Sequence, residues 1–250
     1  MKKLLVGLCA VFICTIAIAH SIEWYVDNTL YQTTTCNSGD NITPPTAPEK
    51  YGYTFDRWDG YKSLEYIEST GTQYIDTGIK GNNNLRVVFN LEFVSGGEQW
   101  VLGVKRGNER VYVYQISNTR TGYIGYGTFL ATGFEENYGV KKEYEVVLNK
   151  GQQELYVNGV LKYNNAIDSN ITTNANMTLF ALDADGNMQG YAYAKLYSMS
   201  IWQNNTMVRN FIPAKRNSNN AVGMYDTVSQ TFFTNAGTGE FIAGPEVGGL

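Results

Sequence analysis

The sequence has one histidine, three cysteines and five prolines in 250 residues. The single histidine, His20, directly follows the position where we expect a leader peptide to be cleaved, outside any folded core. Histidine is the most frequent general base and a common zinc ligand. This placement therefore excludes Ser-His-Asp and Cys-His catalysis and histidine-containing zinc sites.

Charged residues are also scarce, at 17% of the chain, and the formal net charge is −4. The sequence contains no run of lysine and arginine. Because nucleic-acid affinity depends mainly on neutralising phosphates, we exclude nucleic acid as a partner. Hydrophobic residues make up 43% of the chain, which is enough for a substantial core at this length.

A long apolar run occurs only at the N-terminus. Two lysines precede the mostly apolar residues 4–18, and Ala17 and Ala19 provide the small side chains that a signal peptidase requires. We therefore predict a signal peptide at 1–19, cleaved after Ala19, and a protein that is secreted or associated with the cell envelope. An uncleaved N-terminal anchor is the alternative. No later segment has the ~20 apolar residues of a membrane span, so we expect none in the mature chain.

Cleavage at this position would remove Cys9 and Cys14 and leave Cys36 as the one remaining thiol. The exported chain is therefore expected to fold without an internal disulfide.

Apolar and polar residues alternate along much of the remaining sequence. All odd positions of 85–93 are apolar, and Tyr144, Val146 and Leu148 alternate with polar neighbours in the same way. A period of two predicts strands with one buried face. Asn158-Gly159 predicts a tight type I′ hairpin. Further strands are predicted near 64–69, 72–77, 99–106, 110–116, 121–126, 177–182, 191–203, 206–212 and 231–234.

Helical periodicity is missing from every stretch, so we predict an all-β protein: an antiparallel two-sheet sandwich or a barrel. Three of the five prolines lie in the turn-rich segment before residue 62. This change in composition and residue pattern predicts two domains in the mature chain, a small β module at 20–61 and a large one at 62–246.

The larger segment resembles the laminin G-like domains of secreted bacterial proteins. The resemblance is carried by Leu-Glu-Tyr-Ile-Glu-Ser-Thr-Gly-Thr-Gln-Tyr-Ile-Asp-Thr-Gly-Ile at 64–79 and by the hairpin at 155–159. The closing stretches 194–197, 208–213, 223–226 and 233–241 resemble the same family in the same order. This implies the jelly-roll sandwich of the concanavalin A-like lectin/glucanase superfamily, which hosts lectins, adhesins, hydrolases and architectural modules.

The smaller segment resembles one internalin-type B-repeat, also called the Listeria–Bacteroides repeat. The matching residues are 39–42 and 50–58, although Arg57 replaces the usual glycine before Trp58. The resemblance implies a β-grasp-like module, and we expect Tyr53, Phe55 and Trp58 to form its aromatic core.

Carboxylate-pair catalysis is the remaining enzymatic chemistry. The resemblance implies Glu-x-Asp-x-x-Glu for the glucanases of this superfamily, and the chain contains no Glu-x-Asp. Glu143 and Glu145 share one strand face, roughly 7 Å apart, but Val147 and Asn149 follow on that face. A solvated polar stripe explains these residues better, so we predict that the protein is not an enzyme.

Asp183, Asp185 and Asn187 form the candidate metal site. They place hard oxygen ligands at alternating positions beside Gly186, which suits Ca²⁺. The same residue types are ordinary in turns, so a plain turn is the other interpretation. The resemblance favours calcium, because laminin G-like domains often hold one calcium ion at a sandwich rim.

Aromatic residues form the candidate ligand site, because exposed rings stack on sugar surfaces. Alternation predicts that Tyr112 and Tyr114 share one face of strand 110–116, while Val111 and Val113 share the other. Tyr123, Tyr126 and Trp100 complete the candidate set. Framework packing is the alternative for each of these residues, since tyrosine is favoured at half-buried strand positions.

Taken as a sequence, the chain is predicted to be an exported, non-catalytic binding module. Its predicted partner is a glycan or an extracellular protein, bound during adhesion at the cell surface or in the extracellular space. A structural envelope component without a small-molecule site is the alternative, and a glycoside hydrolase is a third and weaker hypothesis.

Overall fold

The computed structural model describes residues 2–10, 20–26, 29–37, 43–82, 84–166 and 172–249. These residues form β-strands joined by turns and contain no helix, as the sequence predicts. Consequently, no helix in the described ranges has the length and hydrophobicity of a membrane span.

The chain divides into two compact units. The first contains Met1–Ser63, Ala214–Ala221 and Glu246–Leu250, and the second contains Leu64–Pro213 and Val222–Pro245. The predicted boundary after residue 61 is two residues before the end of Met1–Ser63, the longest segment of the first unit. The first unit also includes 62–63, 214–221 and 246, which lie within the bounds predicted for the large domain.

The first unit contains a four-stranded sheet in the order β3-β2-β1-β4. Its strands are β1 (Lys2–Ala10), β2 (His20–Val26), β3 (Thr29–Cys36) and β4 (Tyr53–Asp59). β1 runs antiparallel to β2 and parallel to β4. Trp24 is buried, and its Nε1 donates to Thr34 Oγ1 at 2.9 Å. The cleavage position and the side chains of Phe55 and Trp58 lie outside the described residues.

The second unit contains two sheets. Sheet I follows the order β15-β14-β13-β8-β19-β20-β21-β22; in addition, β6 pairs with β19, and β23 pairs with β6. Its strands are β6 (Ile67–Thr70), β8 (Asn84–Phe93), β13 (Lys142–Asn149), β14 (Gln152–Val157), β15 (Val160–Asn165), β19 (Tyr193–Gln203), β20 (Thr206–Arg216), β21 (Val222–Asp226), β22 (Thr231–Thr234) and β23 (Ile242–Ala243). The end of β20 continues into the first unit, where it pairs with β5 (Tyr61–Leu64), which also pairs with β24 (Glu246–Gly249).

Sheet II follows the order β12-β11-β10-β9-β16-β7, with a small hairpin, β17-β18, attached to β9. Its strands are β7 (Ile75–Asn82), β9 (Gln99–Arg106), β10 (Glu109–Ile116), β11 (Thr121–Tyr126), β12 (Thr128–Glu135), β16 (Thr172–Leu179), β17 (Leu182–Ala184) and β18 (Asn187–Gln189).

One apolar core joins the inner faces of the two sheets. Phe89 and Tyr144 of sheet I stack with ring centroids 4.9 Å apart, and Tyr144 meets Tyr114 of sheet II at 5.0 Å. Val104 and Ile124 of sheet II are also fully buried in this core. The arrangement confirms the predicted all-β sandwich, because the inner faces of both sheets are covered by each other.

The alternating patterns produce the predicted buried faces. Every odd residue of 85–93 is buried, while the even residues contact solvent to different extents. Tyr144, Val146 and Leu148 are buried in the same way on β13. Asn158 and Gly159 have φ angles of 50° and 74°, which confirms the type I′ hairpin between β14 and β15.

Candidate functional site

A row of side chains crosses four strands on the outer face of sheet II, the face opposite the core. Pairing between adjacent strands places Ala131 beside Tyr123, Tyr123 beside Gln115, and Gln115 beside Trp100. Paired residues point to the same side with Cβ atoms ~5 Å apart. Ala131 is exposed and Tyr123 is half-buried, whereas Gln115 is 2% exposed and Trp100 is 5% exposed. The row is therefore open at β12 and covered at β9.

A second row lies beside the first and is centred on Tyr112. Its two strand neighbours are Gly103 and Gly125, and the ring is 5% exposed. The ring packs against Trp100 with centroids 4.5 Å apart, and Leu182 and Ala184 of the β17 strand complete this cluster. Tyr112 and Trp100 thus form a packed aromatic pair under the outer face.

Gly190 shows how closely the chain passes over Trp100. Its carbonyl oxygen accepts a hydrogen bond of 2.8 Å from the backbone N–H of Trp100 on β9. A Cβ atom at Gly190 would collide with the indole ring, and its φ of 58° also favours glycine. The backbone here therefore fixes the position of the indole.

Tyr112 and Tyr114 do not share a face, which corrects the prediction from strict alternation. The pairing register shifts between these residues, because Tyr112 pairs with Gly103 and Tyr114 pairs with Leu102. The extra residue, Val113, forms a β-bulge that turns both Val113 and Tyr114 toward the core. Tyr112 and Gln115 remain on the outer face. The prediction that Val111 and Val113 share a face is correct, but Tyr114 joins them.

Tyr114 and Tyr126 belong to the core and present no ring to solvent. Both are 0% exposed and lie in the main apolar cluster. Of the five aromatic residues predicted as a ligand site, the structure therefore brings together Trp100, Tyr112 and Tyr123 on one face and places the other two on the opposite face.

Gln115 is the polar group that sequence reasoning missed. Its Oε1 atom is buried and has no hydrogen-bond partner among the described residues. A buried amide oxygen without a donor costs about 1–3 kcal/mol, so Gln115 lacks a hydrogen bond that a buried acceptor ordinarily has. The sequence does not reveal that Gln115 lies between two aromatic residues, because this depends on the pairing register of β10 with β9 and β11.

Arg110 lies on the same face, two positions before Tyr112. The guanidinium Nε atom is buried and meets no acceptor in the described part of the chain. Burial raises the pKa of the Tyr112 hydroxyl, the positive charge of Arg110 opposes this rise, and Asp185 adds to it. Arg110 is therefore close enough to act electrostatically on the Tyr112 ring.

Inside the core, Tyr114 belongs to a buried hydrogen-bonded network around Glu136. Tyr114 Oη donates to Glu136 at 2.5 Å, Tyr144 Oη donates at 3.0 Å, and Lys142 Nζ donates at 2.5 Å. Burial and then the Glu136 charge raise the pKa values of both tyrosines. Lys142 lies at an inward-facing position of β13, in alternation with Tyr144 and Val146. A lysine at such a position is the sequence signal for a buried polar network. Glu136 is 0% exposed, so the network stabilises the sandwich.

The candidate metal ligands lie at the β17-β18 hairpin. Asp185 and Gly186 have φ angles of 53° and 89°, as in a two-residue type I′ turn. Both Asp183 carboxylate oxygens accept hydrogen bonds from Arg106, at 2.8 and 2.6 Å. Asp185 Oδ1 accepts from Gly107 N at 2.6 Å and Oδ2 lies 3.5 Å from Lys105 Nζ.

These contacts fit the interpretation as a hairpin turn. A calcium ion at Asp183, Asp185 and Asn187 would compete with two cationic side chains for the same oxygens, so the donor set does not fit a calcium site. Within the described ranges, no group of three or more histidine, cysteine, aspartate or glutamate side chains is arranged to hold a metal ion.

Glu143 and Glu145 lie on the outer face of sheet I. Glu143 is exposed, and Glu145 accepts a 2.7 Å hydrogen bond from Arg86 Nε. Arg86 also packs over the ring of Trp202, with its Cζ 4.5 Å from the centroid. This agrees with the interpretation of the two glutamates as part of a polar surface stripe.

Comparison with known proteins gives similarity in structure alone. No protein-family model and no curated protein sequence matches the chain. A crystal structure from Bacteroides ovatus, described as a candidate carbohydrate-binding protein, has a TM-score of 0.55 at 9% identity and covers 93% of this chain and 70% of its own.

Two further solved structures have lower scores. The CBM40 module of a Ruminococcus gnavus sialidase, bound to α2,3 sialyllactose, has a TM-score of 0.47 at 15% identity over 57% of this chain and 90% of its own. A SAP-like pentraxin from Limulus polyphemus has a TM-score of 0.41 at 12% identity over 60% and 77%. The chain therefore shares an all-β sandwich fold with the Bacteroides ovatus protein.

Proposed function

We propose that this protein is an exported, non-catalytic module that binds oligosaccharides on the outer face of sheet II. The observation that carries the proposal is the cross-strand row of Trp100, Gln115 and Tyr123, in which the Gln115 amide oxygen is buried without a donor. Sugar hydroxyls supply such donors, and aromatic rings stack on the C–H faces of sugars. The half-buried Tyr123 ring and the neighbouring Gln115 oxygen would thus supply the two contacts that a saccharide needs, with Trp100 as the covered base of the row.

The fold supports the same function. The Bacteroides ovatus structure that shares it is described as a candidate carbohydrate-binding protein. The motifs of 64–79 and 155–159 support a place in the concanavalin A-like superfamily, and those of 50–58 support a B-repeat-like N-terminal module. The leader pattern at 1–19 supports export, after which the module would act in adhesion outside the cytoplasm.

Gln115→Leu tests this proposal against a purely structural role. Leucine is apolar and close to glutamine in size, so removing a buried amide oxygen without a donor should leave the free energy of unfolding unchanged or raise it. Binding should be lost, because the acceptor is lost. Tyr123→Ala should weaken binding as well, since it removes a half-buried ring from the open end of the row.

The measurement is binding to a glycan array, followed by calorimetry on the best ligand. Trp202→Ala is the matched control, because Trp202 is an aromatic residue on the outer face of the other sheet. We expect Gln115→Leu and Tyr123→Ala to lose binding and Trp202→Ala to keep it. An array without any bound glycan would contradict the proposal and favour the structural envelope component. Equal binding by all three variants would remove the site.

A further inference from the structure

The cations next to the candidate site are paired unequally. Arg106 Nη2 lies 2.6 Å from Asp183, and Lys105 Nζ lies 3.5 Å from Asp185. Arg110, which pairs with Lys105 across β9 and β10, forms no ion pair and no side-chain hydrogen bond with any described residue. Among the described residues, the two nearby acidic groups are thus already matched to two other cations, and neither forms an ion pair with Arg110.

Arg110 is also partly withdrawn from water. Its side chain is half-buried, and the Nε atom is buried without an acceptor. Arginine is almost always charged in proteins, and a charged donor that has lost water without gaining an acceptor is costly. An anionic group from outside the chain would recover this cost with a charge-assisted hydrogen bond, and a planar carboxylate could accept two.

The distance between Arg110 and Gln115 gives a minimum length for a ligand that contacts both residues. Arg110 and Gln115 lie five residues apart on the bulged strand β10, which corresponds to about 13–16 Å at ordinary strand rise. Tyr112 lies between them on the same face, with glycines on both sides. A saccharide that reaches both Arg110 and Gln115 is therefore longer than one sugar and spans the part of β10 that lies between them.

We propose that Arg110 forms an anion subsite, so that the ligand of the outer face of sheet II is an acidic oligosaccharide. This inference rests on the proposed function, because it names the chemical class of saccharide at the same site. The anionic group is a carboxylate, as in a uronic acid, or a sulfate ester, since both present oxygens that match the guanidinium fork.

Calorimetry with three matched saccharides tests the subsite: a neutral oligosaccharide, its uronic acid counterpart and its sulfated counterpart. The wild-type protein should bind one of the two acidic forms more tightly than the neutral form. Arg110→Gln should weaken binding of the acidic form about 10- to 100-fold, as expected for loss of a hydrogen bond to a charged group. Binding of the neutral form should not change.

Arg86→Gln is the matched control, because Arg86 is an arginine on the outer face of sheet I with Glu145 and Trp202 as partners. It should leave acidic binding unchanged. Thermal unfolding of Arg110→Gln should match that of the wild type, since the substitution removes no hydrogen bond within the described chain. Arg110→Lys should recover part of the acidic preference without the full affinity.

The outcomes separate this inference from the proposed function. If neutral and acidic saccharides bind equally and Tyr123→Ala still abolishes binding, the anion subsite is wrong and the saccharide site stands. If Arg110→Gln does not change acidic binding, the subsite is also wrong. If no saccharide of any charge binds, the proposed function fails, and the subsite fails with it.

Discussion

Tyr112 and Tyr114 are separated by one residue on β10 and point to opposite sides of sheet II. Tyr112 packs on Trp100 at the outer face, whereas Tyr114 lies in the core and donates a hydrogen bond to Glu136. The bulge at Val113 causes this difference, because one extra residue reverses the order of inward and outward positions. One strand therefore contributes both to the stability of the sandwich and to the surface proposed to bind ligand.

The first prediction concerns the buried end of this strand. Tyr114→Phe removes one of three donors to the buried Glu136 carboxylate and should lower the free energy of unfolding by about 1–3 kcal/mol. Urea denaturation measures the loss. Tyr156→Phe is the control, because Tyr156 donates to Glu154 on the surface and its loss should be much smaller. Equal losses in the two variants would show that the Glu136 network contributes little.

The second prediction concerns acid stability. The Arg106 guanidinium, helped by the Gly186 amide, lowers the pKa of Asp183 from its ordinary value of 3.8. A carboxylate with a lowered pKa in the folded state stabilises the protein above its unfolded pKa and loses this contribution as the pH falls through the folded pKa. We therefore expect the melting temperature to fall below about pH 4 and Asp183→Asn to reduce this dependence.

Melting curves between neutral and acid pH measure this effect. Glu98→Gln is the control, because Glu98 is exposed. A wild-type curve and an Asp183→Asn curve that remain parallel down to the lowest pH would contradict the prediction.

The third prediction concerns calcium. Asp183 is held by Arg106 and Asp185 by Lys105 and the Gly107 amide, so calcium has no free carboxylate oxygens at this turn. We expect the same melting temperature in millimolar calcium and in chelator, because a ligand stabilises a fold only when it binds the folded state. A calcium-dependent rise that disappears in an Asp183→Asn and Asp185→Asn double variant would restore the calcium site.

The fourth prediction concerns the N-terminus. The basic start, the apolar run and the small residues Ala17 and Ala19 predict that the exported protein begins at His20. N-terminal sequencing or intact-mass measurement of the secreted protein checks this directly. Ala19→Arg should block cleavage, because the peptidase requires a small side chain at that position. Membrane-bound protein that retains residue 1 would instead support the uncleaved anchor.

Much of the fold follows from local pattern. The alternation along 85–93 and 144–148 identifies inward side chains because the period of a strand is fixed at two. Asn158-Gly159 identifies a hairpin because both positions need positive φ, which these residues adopt easily. These signals depend only on neighbours in sequence, so they can be recognised without the tertiary structure.

The candidate site depends on contacts that local pattern does not contain. Arg106 and Asp183 are 77 positions apart, and their ion pair exists only because β17 aligns with β9. The bulge at Val113 is visible only in the strand pairing, so alternation placed Tyr114 on the wrong face. Lys142 is an intermediate case. Alternation along β13 predicts that its side chain points inward, but nothing in the sequence identifies Glu136 as its partner.

The place of β1 in the small sheet has a consequence for export. β1 lies between β2 and β4 and hydrogen-bonds to both, yet it consists entirely of residues that cleavage after Ala19 would remove. The precursor and the secreted form would then differ in strand pairing in the N-terminal unit, because β4 would lose its pairing with β1 and β2 would keep only its pairing with β3. Removal of the leader would thus expose the strand edges that β1 covers in this unit.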